Sequence, residues 1–293
     1  MPLCYFRPRE AAHDFHVLGW VDIAANRIVP MDSSLADLLE MPAGQRAEQI
    51  HEEVTTSGAH IAFDDAWLLP PIDEQEVWAA GVTYERSRDA RMEESQTDDI
   101  YDRVYDAARP EMFFKAPPYR CVGPYEPIAI RHDSSWNVPE PELALVIDGH
   151  GDIAGYTIGN DVSSRSIEGE NPLYLPQAKI FTASCALGPL IMLADEIPDP
   201  RSLSIAMWIE RGDAVVWRGE TSTASLRRSL EDLIDCLLVS LEFPVGVVLM
   251  TGTGLVPPAE FTLEASDTVH IRIDGIGTLS NHVRRLAPRR RAK

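Results

Sequence analysis

Residues 139–161 read Pro139-Glu140-Pro141-Glu142-Leu143-Ala144-Leu145-Val146-Ile147-Asp148-Gly149-His150-Gly151-Asp152-Ile153-Ala154-Gly155-Tyr156-Thr157-Ile158-Gly159-Asn160-Asp161. Two apolar runs joined by Asp148-Gly149-His150-Gly151 specify a hairpin. If Gly149 and Asp152 flank a two-residue turn, the register sets Glu142 opposite Gly159 and Glu140 opposite Asp161. Side chains two apart share a strand face, so Glu140 and Glu142 project together with Asp161 beside them, and Gly159 is expected to leave open space above Glu142. An isolated Glu-x-Glu is most often a solvated strand end. Three carboxylates crowded at the end of two buried strands, however, repel one another unless a cation lies between them. Hard oxygen donors favour Mg²⁺, with Mn²⁺ or Ca²⁺ as substitutes.

Outward from this hairpin, strands dominate the C-terminal side, with turn signals at Arg211-Gly212-Asp213 and Asp274-Gly275-Ile276-Gly277. One helix is expected from the spacing of Leu226, Leu230, Leu233, Ile234, Leu237, Leu238 and Leu241, capped by Thr223 or Ser225. On the N-terminal side, Glu76–Val82 reads as a buried strand. Tyr84 to about Arg109 reads as polar helical material with little apolar periodicity, suited to a cover over a site. Residues 1–70 hold short apolar runs and a helix over Ser34–Glu40 capped by Ser33 or Ser34. Pro70-Pro71 then marks a joint that neither helix nor central strand tolerates. The expectation is a mainly β chain with few helices, of the α+β class, in which a small N-terminal domain (1–70) precedes a catalytic domain (71–293).

The 293 residues suffice for one large core with a small appendage, and 45 % hydrophobic with 25 % charged residues is ordinary globular usage. A formal net charge of −20 repels phosphate backbones and anionic bilayers, so neither nucleic acid nor a membrane is expected as a partner. The basic tail, Arg284 to Lys293, is too short to change this. Cys4, Cys121, Cys185 and Cys236 are too scattered for a disulfide framework or a zinc knuckle, and each reads as a buried thiol in a reducing compartment. With no apolar leader and no long apolar run, the expected location is the cytoplasm.

Two further features bear on chemistry. Lys179 follows Pro172–Pro176, a stretch expected to be irregular, and a lysine near three carboxylates could hold a substrate oxygen. Thr251-Gly252-Thr253-Gly254 offers backbone amides to a substrate carboxylate, but it lacks the Gly-Lys-Ser/Thr ending of a nucleotide loop.

Taken with Gly159-Asn160-Asp161-Val162-Ser163-Ser164-Arg165, Gln177-Ala178-Lys179 and Leu187-Gly188-Pro189, these motifs resemble the fumarylacetoacetate hydrolase superfamily over about residues 72–287. The resemblance implies a β-sandwich-like roll, a homodimer or dimer of dimers, Mg²⁺ on Glu140, Glu142 and Asp161, a supporting Lys179, and 2-keto acid substrates that chelate the metal. The hydrolytic members carry a His-Glu dyad where this chain has Thr83-Tyr84-Glu85-Arg86-Ser87-Arg88-Asp89, without histidine. Glu168 stands where they have Gln, and Thr182 where an Asp is usual.

The stretches Arg88–Glu94, Phe113-Phe114-Lys115 and Ile167–Asn171 look most like the 2-keto-3-deoxy-D-arabinonate dehydratase branch. That resemblance implies a lyase giving 2,5-dioxopentanoate through a metal-stabilised enolate. Glu168 is then the candidate for proton transfer and Lys179 for orienting the enolate; Arg88, Arg91, Lys115 and Thr253 are candidates for substrate contact. Two alternatives are a hydrolase or decarboxylase of acylpyruvate-like 2-keto acids, which needs a base from elsewhere, and a sugar-acid binding protein without turnover.

Overall fold

The structure is a computed structural model and describes residues 2–11, 16–84, 104–105 and 107–288. At its centre lies the hairpin of Pro141–Ile147 and Ile153–Asp161, nearly all of it buried. Glu142 pairs with Gly159 and Pro141 with Asn160, and the Asp161 amide donates to Glu140 O at 3.0 Å. The register at the acidic end is therefore the expected one, although the turn is not. Asp148 N bonds Asp152 O at 2.9 Å, so Gly149, His150 and Gly151 form a three-residue loop, with Gly151 at φ +92°. The resulting one-residue slip is undone by a bulge at Ala154, between the pairs Ile147–Ile153 and Val146–Gly155. The Asp148 carboxylate selects the longer loop by accepting the His150 and Asp152 amides, each at 3.0 Å, while its other oxygen takes buried Arg46 at 2.9 Å.

Because the hairpin is covered on both faces, its strands read as continuous apolar runs. Leu143, Leu145 and Ile147 pack against Ile205, Met207, Ile209, Val269 and Ile271 of a five-stranded sheet. Ala144 and Val146 pack with Leu3, Leu38, Ile50, Val248 and Met250. The large sheet has twelve strands among the described residues. Its main path runs from Ile61–Ala62 through Arg27–Pro30, Val17–Asp22, Leu3–Pro8 and Cys185–Leu193 to the hairpin, then through Val247–Met250 and Glu76–Gly81 to Glu111–Ala116. The smaller sheet is ordered Ala214–Ser222, Ser204–Arg211, Asp267–Ile273, Gly277–Arg285 and Ile128–Ile130. A two-stranded ladder of Asn137–Val138 and Ser163–Ser164 completes the strands, so the fold is mainly β, two packed sheets and this small one, with few helices.

Gly159 does not open a space above Glu142, because a Cβ there would lie 2.6 Å from Met250 Cε, and that thioether fills the position. Ser34 caps Leu35–Glu40 through a capping box with Asp37. The fourteen-residue helix Ala43–Thr56 is not apparent in the sequence, since only Arg46 and Ile50 are buried on it. The leucine-rich helix is shorter than its spacing predicts: Ser229 caps Leu230–Leu238, while Leu226 leaves the helix to bridge Tyr84. The stretch before Lys179 is not irregular. Pro172–Tyr174 forms a 3₁₀ turn and Leu175–Lys179 a short α-helix, since proline in a first turn forfeits no hydrogen bond.

Candidate active site

The hairpin end brings one carboxylate oxygen from each of Glu140, Glu142 and Asp161 within 4.8 Å of the others, all three side chains buried. Three buried cations surround them. Arg165, the first residue of the helix Arg165–Glu170, reaches Glu140 Oε1 with Nε at 3.1 Å and a terminal nitrogen at 2.9 Å. Lys179 Nζ donates to Glu140 Oε2 and Asp161 Oδ2 at 2.8 Å each and to Ser163 Oγ at 2.5 Å, and its ammonium lies 5.7 Å from the centre of the Phe113 ring. Lys115 Nζ pairs with Asp161 Oδ1 and donates to Val162 O at 3.3 Å and Lys179 O at 2.6 Å.

Among the described residues Glu142 has no such ion pair at hydrogen-bonding distance. It accepts the Gly252 amide at 2.6 Å. Burial, reinforced by the negative charges of Asp161 and Glu140, pushes its carboxyl well above the usual carboxylate range, against the opposing pull of Lys179 and the Gly252 amide. An all-oxygen donor set with one member disfavoured as an anion fits a hard divalent cation, whose charge would relieve both the desolvation and the repulsion. Glu140, Glu142 and Asp161 are the residues that would hold Mg²⁺.

The amide of the Gly-rich turn, expected to hold a substrate carboxylate, is thus taken by the Glu142 carboxylate. Thr251 Oγ1 donates to Leu143 O at 2.9 Å, and Gly252, at φ +91°, packs against Thr83. Thr253, expected to meet substrate, is buried with its hydroxyl donating to Leu255 O at 3.0 Å. Lys115, also expected to meet substrate, is 0 % exposed and faces Asp161. Glu168 is buried on the same short helix as Arg165, its Oε2 3.8 Å from Arg165 Nε. Arg88, Arg91 and the expected cover around them lie outside the described residues.

One carboxylate on the strand that carries Lys115 is not singled out by the sequence reading. Glu111 opposes Gly81 across the strand pair, and a Cβ at residue 81 would overlap its Oε2. Glu111 and Phe113 alternate along one strand, so the face that carries the ring beside Lys179 also presents a carboxylate. The period-two spacing Glu-x-Phe is the signal available in the sequence.

Residues 76–284 match the Fumarylacetoacetate (FAA) hydrolase C-terminal family. The chain is 50 % identical over 222 residues to a probable 2-keto-3-deoxyxylonate dehydratase of Haloferax volcanii. It is 47 % identical over 227 residues to a 2-dehydro-3-deoxy-D-arabinonate dehydratase of Saccharolobus solfataricus. Each alignment spans 76 % of both chains. A solved 2-keto-3-deoxy-D-arabinonate dehydratase, complexed with magnesium and 2,5-dioxopentanoate, superposes with a TM-score of 0.84 at 37 % identity, covering 98 % of this chain and all of that one. With the acidic triad at the hairpin end, the Gly252 turn beneath it and the family match running through both, the chain belongs to the fumarylacetoacetate hydrolase family.

Proposed function

We propose that the chain is a Mg²⁺-dependent hydro-lyase that converts a 2-keto-3-deoxy pentonate to 2,5-dioxopentanoate. The observation that carries this reading is the buried triad with its three resident cations, in a chain so similar to a dehydratase bound to magnesium and that product. In such a substrate C2 is a ketone and C3 a methylene, which leaves C4 as the one stereocentre. The xylonate and arabinonate names of the D series therefore describe the same molecule, and relatives bearing either name support one substrate.

When bound, Mg²⁺ supplies an electrophile that stabilises negative charge on the keto oxygen as the C3 proton leaves. The protein's own groups handle the protons. The C4 hydroxyl departs with a C3 proton as water. Conversion of the C5 carbinol to an aldehyde then removes the C5 and hydroxyl protons while C3 and C4 each gain one. Two proton-transfer groups suit this sequence. Glu168, beside Arg165, serves the C3 proton and the leaving hydroxyl, and Glu111, across from Gly81, serves C5. Arg165 and Lys179 hold Glu140 and Asp161 in place throughout. Arg88 and Arg91 are assigned to the substrate carboxylate by their place in the stretch that resembles the dehydratase branch.

The start of the family match at residue 76 supports a division into an N-terminal unit, 1–70, and a catalytic unit, 71–293. A cytoplasmic location agrees with four free cysteines, and no helix among the described residues is long and apolar enough to cross a membrane. The assembly is proposed as a homodimer or dimer of dimers. The deciding experiment supplies 2-keto-3-deoxy pentonates, the corresponding hexonates and acylpyruvates, with Mg²⁺ or with excess chelator, and measures product mass. Loss of one water from the pentonate, abolished by chelator, is expected. Faster cleavage of acylpyruvates, or full activity in chelator, overturns the assignment.

A further inference from the structure

We infer that Lys115 is a positioning residue that locks the metal-ligand carboxylate of Asp161 to the backbone carrying Lys179, rather than a contact for substrate. The inference rests on the dehydratase reading only for its activity arm; its metal-binding arm stands apart from any substrate.

The strand Glu111–Ala116 is not regular at this point. Val77 pairs with Ala116 and Trp78 with Phe114, so Lys115 is the extra residue of a bulge in the ladder with Glu76–Gly81. A bulge bends its strand and re-aims a side chain. Here the re-aimed ammonium is 0 % exposed and meets three acceptors: Asp161 Oδ1, Val162 O and Lys179 O. An ammonium carries three N–H donors and accepts nothing; here two hydrogen bonds go to backbone carbonyls and its charge is paired with Asp161, so the group is committed to the protein.

The three acceptors belong to two separate pieces of the site. Asp161 ends the hairpin strand and Val162 follows it, and the Lys179 carbonyl closes the helix Leu175–Lys179. Lys179 returns the contact from its own side chain, taking Asp161 Oδ2 at 2.8 Å. Asp161 is thereby held at both oxygens by two different ammonium groups, so its carboxylate plane cannot turn without breaking one of them. Ser184 Oγ donates a second hydrogen bond, 2.8 Å, to the same Lys179 carbonyl, which fixes that carbonyl from a second direction. An Asp so restrained presents its remaining lone pairs in one direction before any cation arrives, the arrangement by which outer partners orient a metal ligand. A lysine that only filled space would require neither a bulge nor acceptors on both pieces.

The test compares Lys115→Met and Lys115→Gln with Ser184→Ala and the unmodified chain. Mn²⁺ binding is followed by electron paramagnetic resonance without substrate, and kcat and KM are measured for 2-keto-3-deoxy pentonate per folded molecule. Removing an outer partner of a metal ligand typically lowers metal affinity or activity by about 10- to 100-fold. Both Lys115 variants are expected to weaken Mn²⁺ by that order and to lower kcat similarly with KM within about threefold. Ser184→Ala, which leaves Asp161 untouched, is expected to keep Mn²⁺ affinity and lose only part of kcat. A tenfold or greater rise in KM with Mn²⁺ affinity and kcat unchanged would return Lys115 to substrate contact. A folded variant with all three constants unchanged removes it from the site. If neither Lys115 variant folds, Ser184→Ala with unaltered kcat overturns the proposed clamp on the Lys179 carbonyl. If the chain dehydrates nothing, Mn²⁺ binding alone decides: weakened affinity in both Lys115 variants supports the lock on Asp161, and unaltered affinity overturns it.

Discussion

The amide of Gly252 donates to the carboxylate of Glu142 across 2.6 Å, so the glycine-rich turn holds a carboxylate that would bind the metal, where a substrate carboxylate was expected. The geometry explains why residue 252 is glycine. Its φ of +91° is one that side chains rarely adopt, and a Cβ would overlap Thr83 Oγ1 and lie 2.9 Å from Ala80 O. Gly252→Ala should therefore destabilise the chain by about 1–3 kcal/mol, the usual toll of a strained backbone position. It should also raise the Mg²⁺ midpoint of activity, because relief of the clash with Thr83 and Ala80 shifts the turn and moves the residue 252 amide off Glu142. Denaturant unfolding in chelator and a Mg²⁺ titration check the two effects separately.

The triad members should respond to substitution with opposite signs in chelator. Asp161 lies between Lys115 and Lys179, both almost fully buried. Asp161→Ala leaves two buried ammonium groups without their shared anion and should cost about 3–5 kcal/mol of stability. Glu142 is instead disfavoured as an anion by burial and by its two acidic neighbours. Glu142→Gln keeps its shape while removing that repulsion, so the metal-free variant should be at least as stable as the parent. Both variants should lose Mg²⁺ binding. Equal destabilisation in chelator would contradict this electrostatic picture.

The hairpin and its acidic end were legible because burial on both faces writes an unbroken apolar run and period-two spacing places Glu140 and Glu142 together. The expected two-residue turn was one residue short, and the bulge at Ala154 cancelled the difference, so the register at Glu142 survived an error at Gly149–Asp152. What stayed hidden depends on contacts far apart in sequence. The helix Ala43–Thr56 shows no stripe because it contributes little apolar surface. Lys115 looks like a substrate contact until Asp161, 46 positions on, is placed beside it. Met250 above Gly159 is likewise a contact of the third dimension alone.

A stability prediction concerns the N-terminal helix pair. Partial burial raises the Glu53 carboxyl, but hydrogen bonds from the Ser33 hydroxyl, Gln49 Nε2 at 2.7 Å and the Ser33 and Asp32 amides at 3.2 and 2.8 Å outweigh it and bring it below its ordinary value. A carboxyl depressed in the folded state adds stability that is full above its unfolded pKa and is lost as pH falls through the depressed one. Glu53→Gln should thus lower stability at neutral pH by on the order of 1 kcal/mol, and the gap to the parent should close on acidification below the ordinary carboxylate range. A gap independent of pH would assign the loss to packing.

The division of proton transfers between Glu168 and Glu111 can be separated with a substrate that lacks a leaving group. Pyruvate has C3 protons but neither a C4 hydroxyl nor a C5, so in D₂O with Mg²⁺ its methyl exchange reports the C3 step alone. Glu168 is buried 3.8 Å from Arg165, which itself holds Glu140, so it lies near the triad that would hold the metal without belonging to it. Glu168→Gln preserves size and hydrogen bonding and removes the titrating proton. It should slow both pyruvate exchange and pentonate dehydration by about 10²- to 10⁴-fold, the range for general acid–base help, while Mg²⁺ affinity stays near that of the parent. Glu111→Gln should leave pyruvate exchange close to normal and still suppress formation of the aldehyde, letting the unsaturated C5 alcohol accumulate. Exchange lost in Glu111→Gln and kept in Glu168→Gln would reverse the two roles, and loss of Mg²⁺ binding in Glu168→Gln would make Glu168 a support for Glu140 instead of a proton carrier.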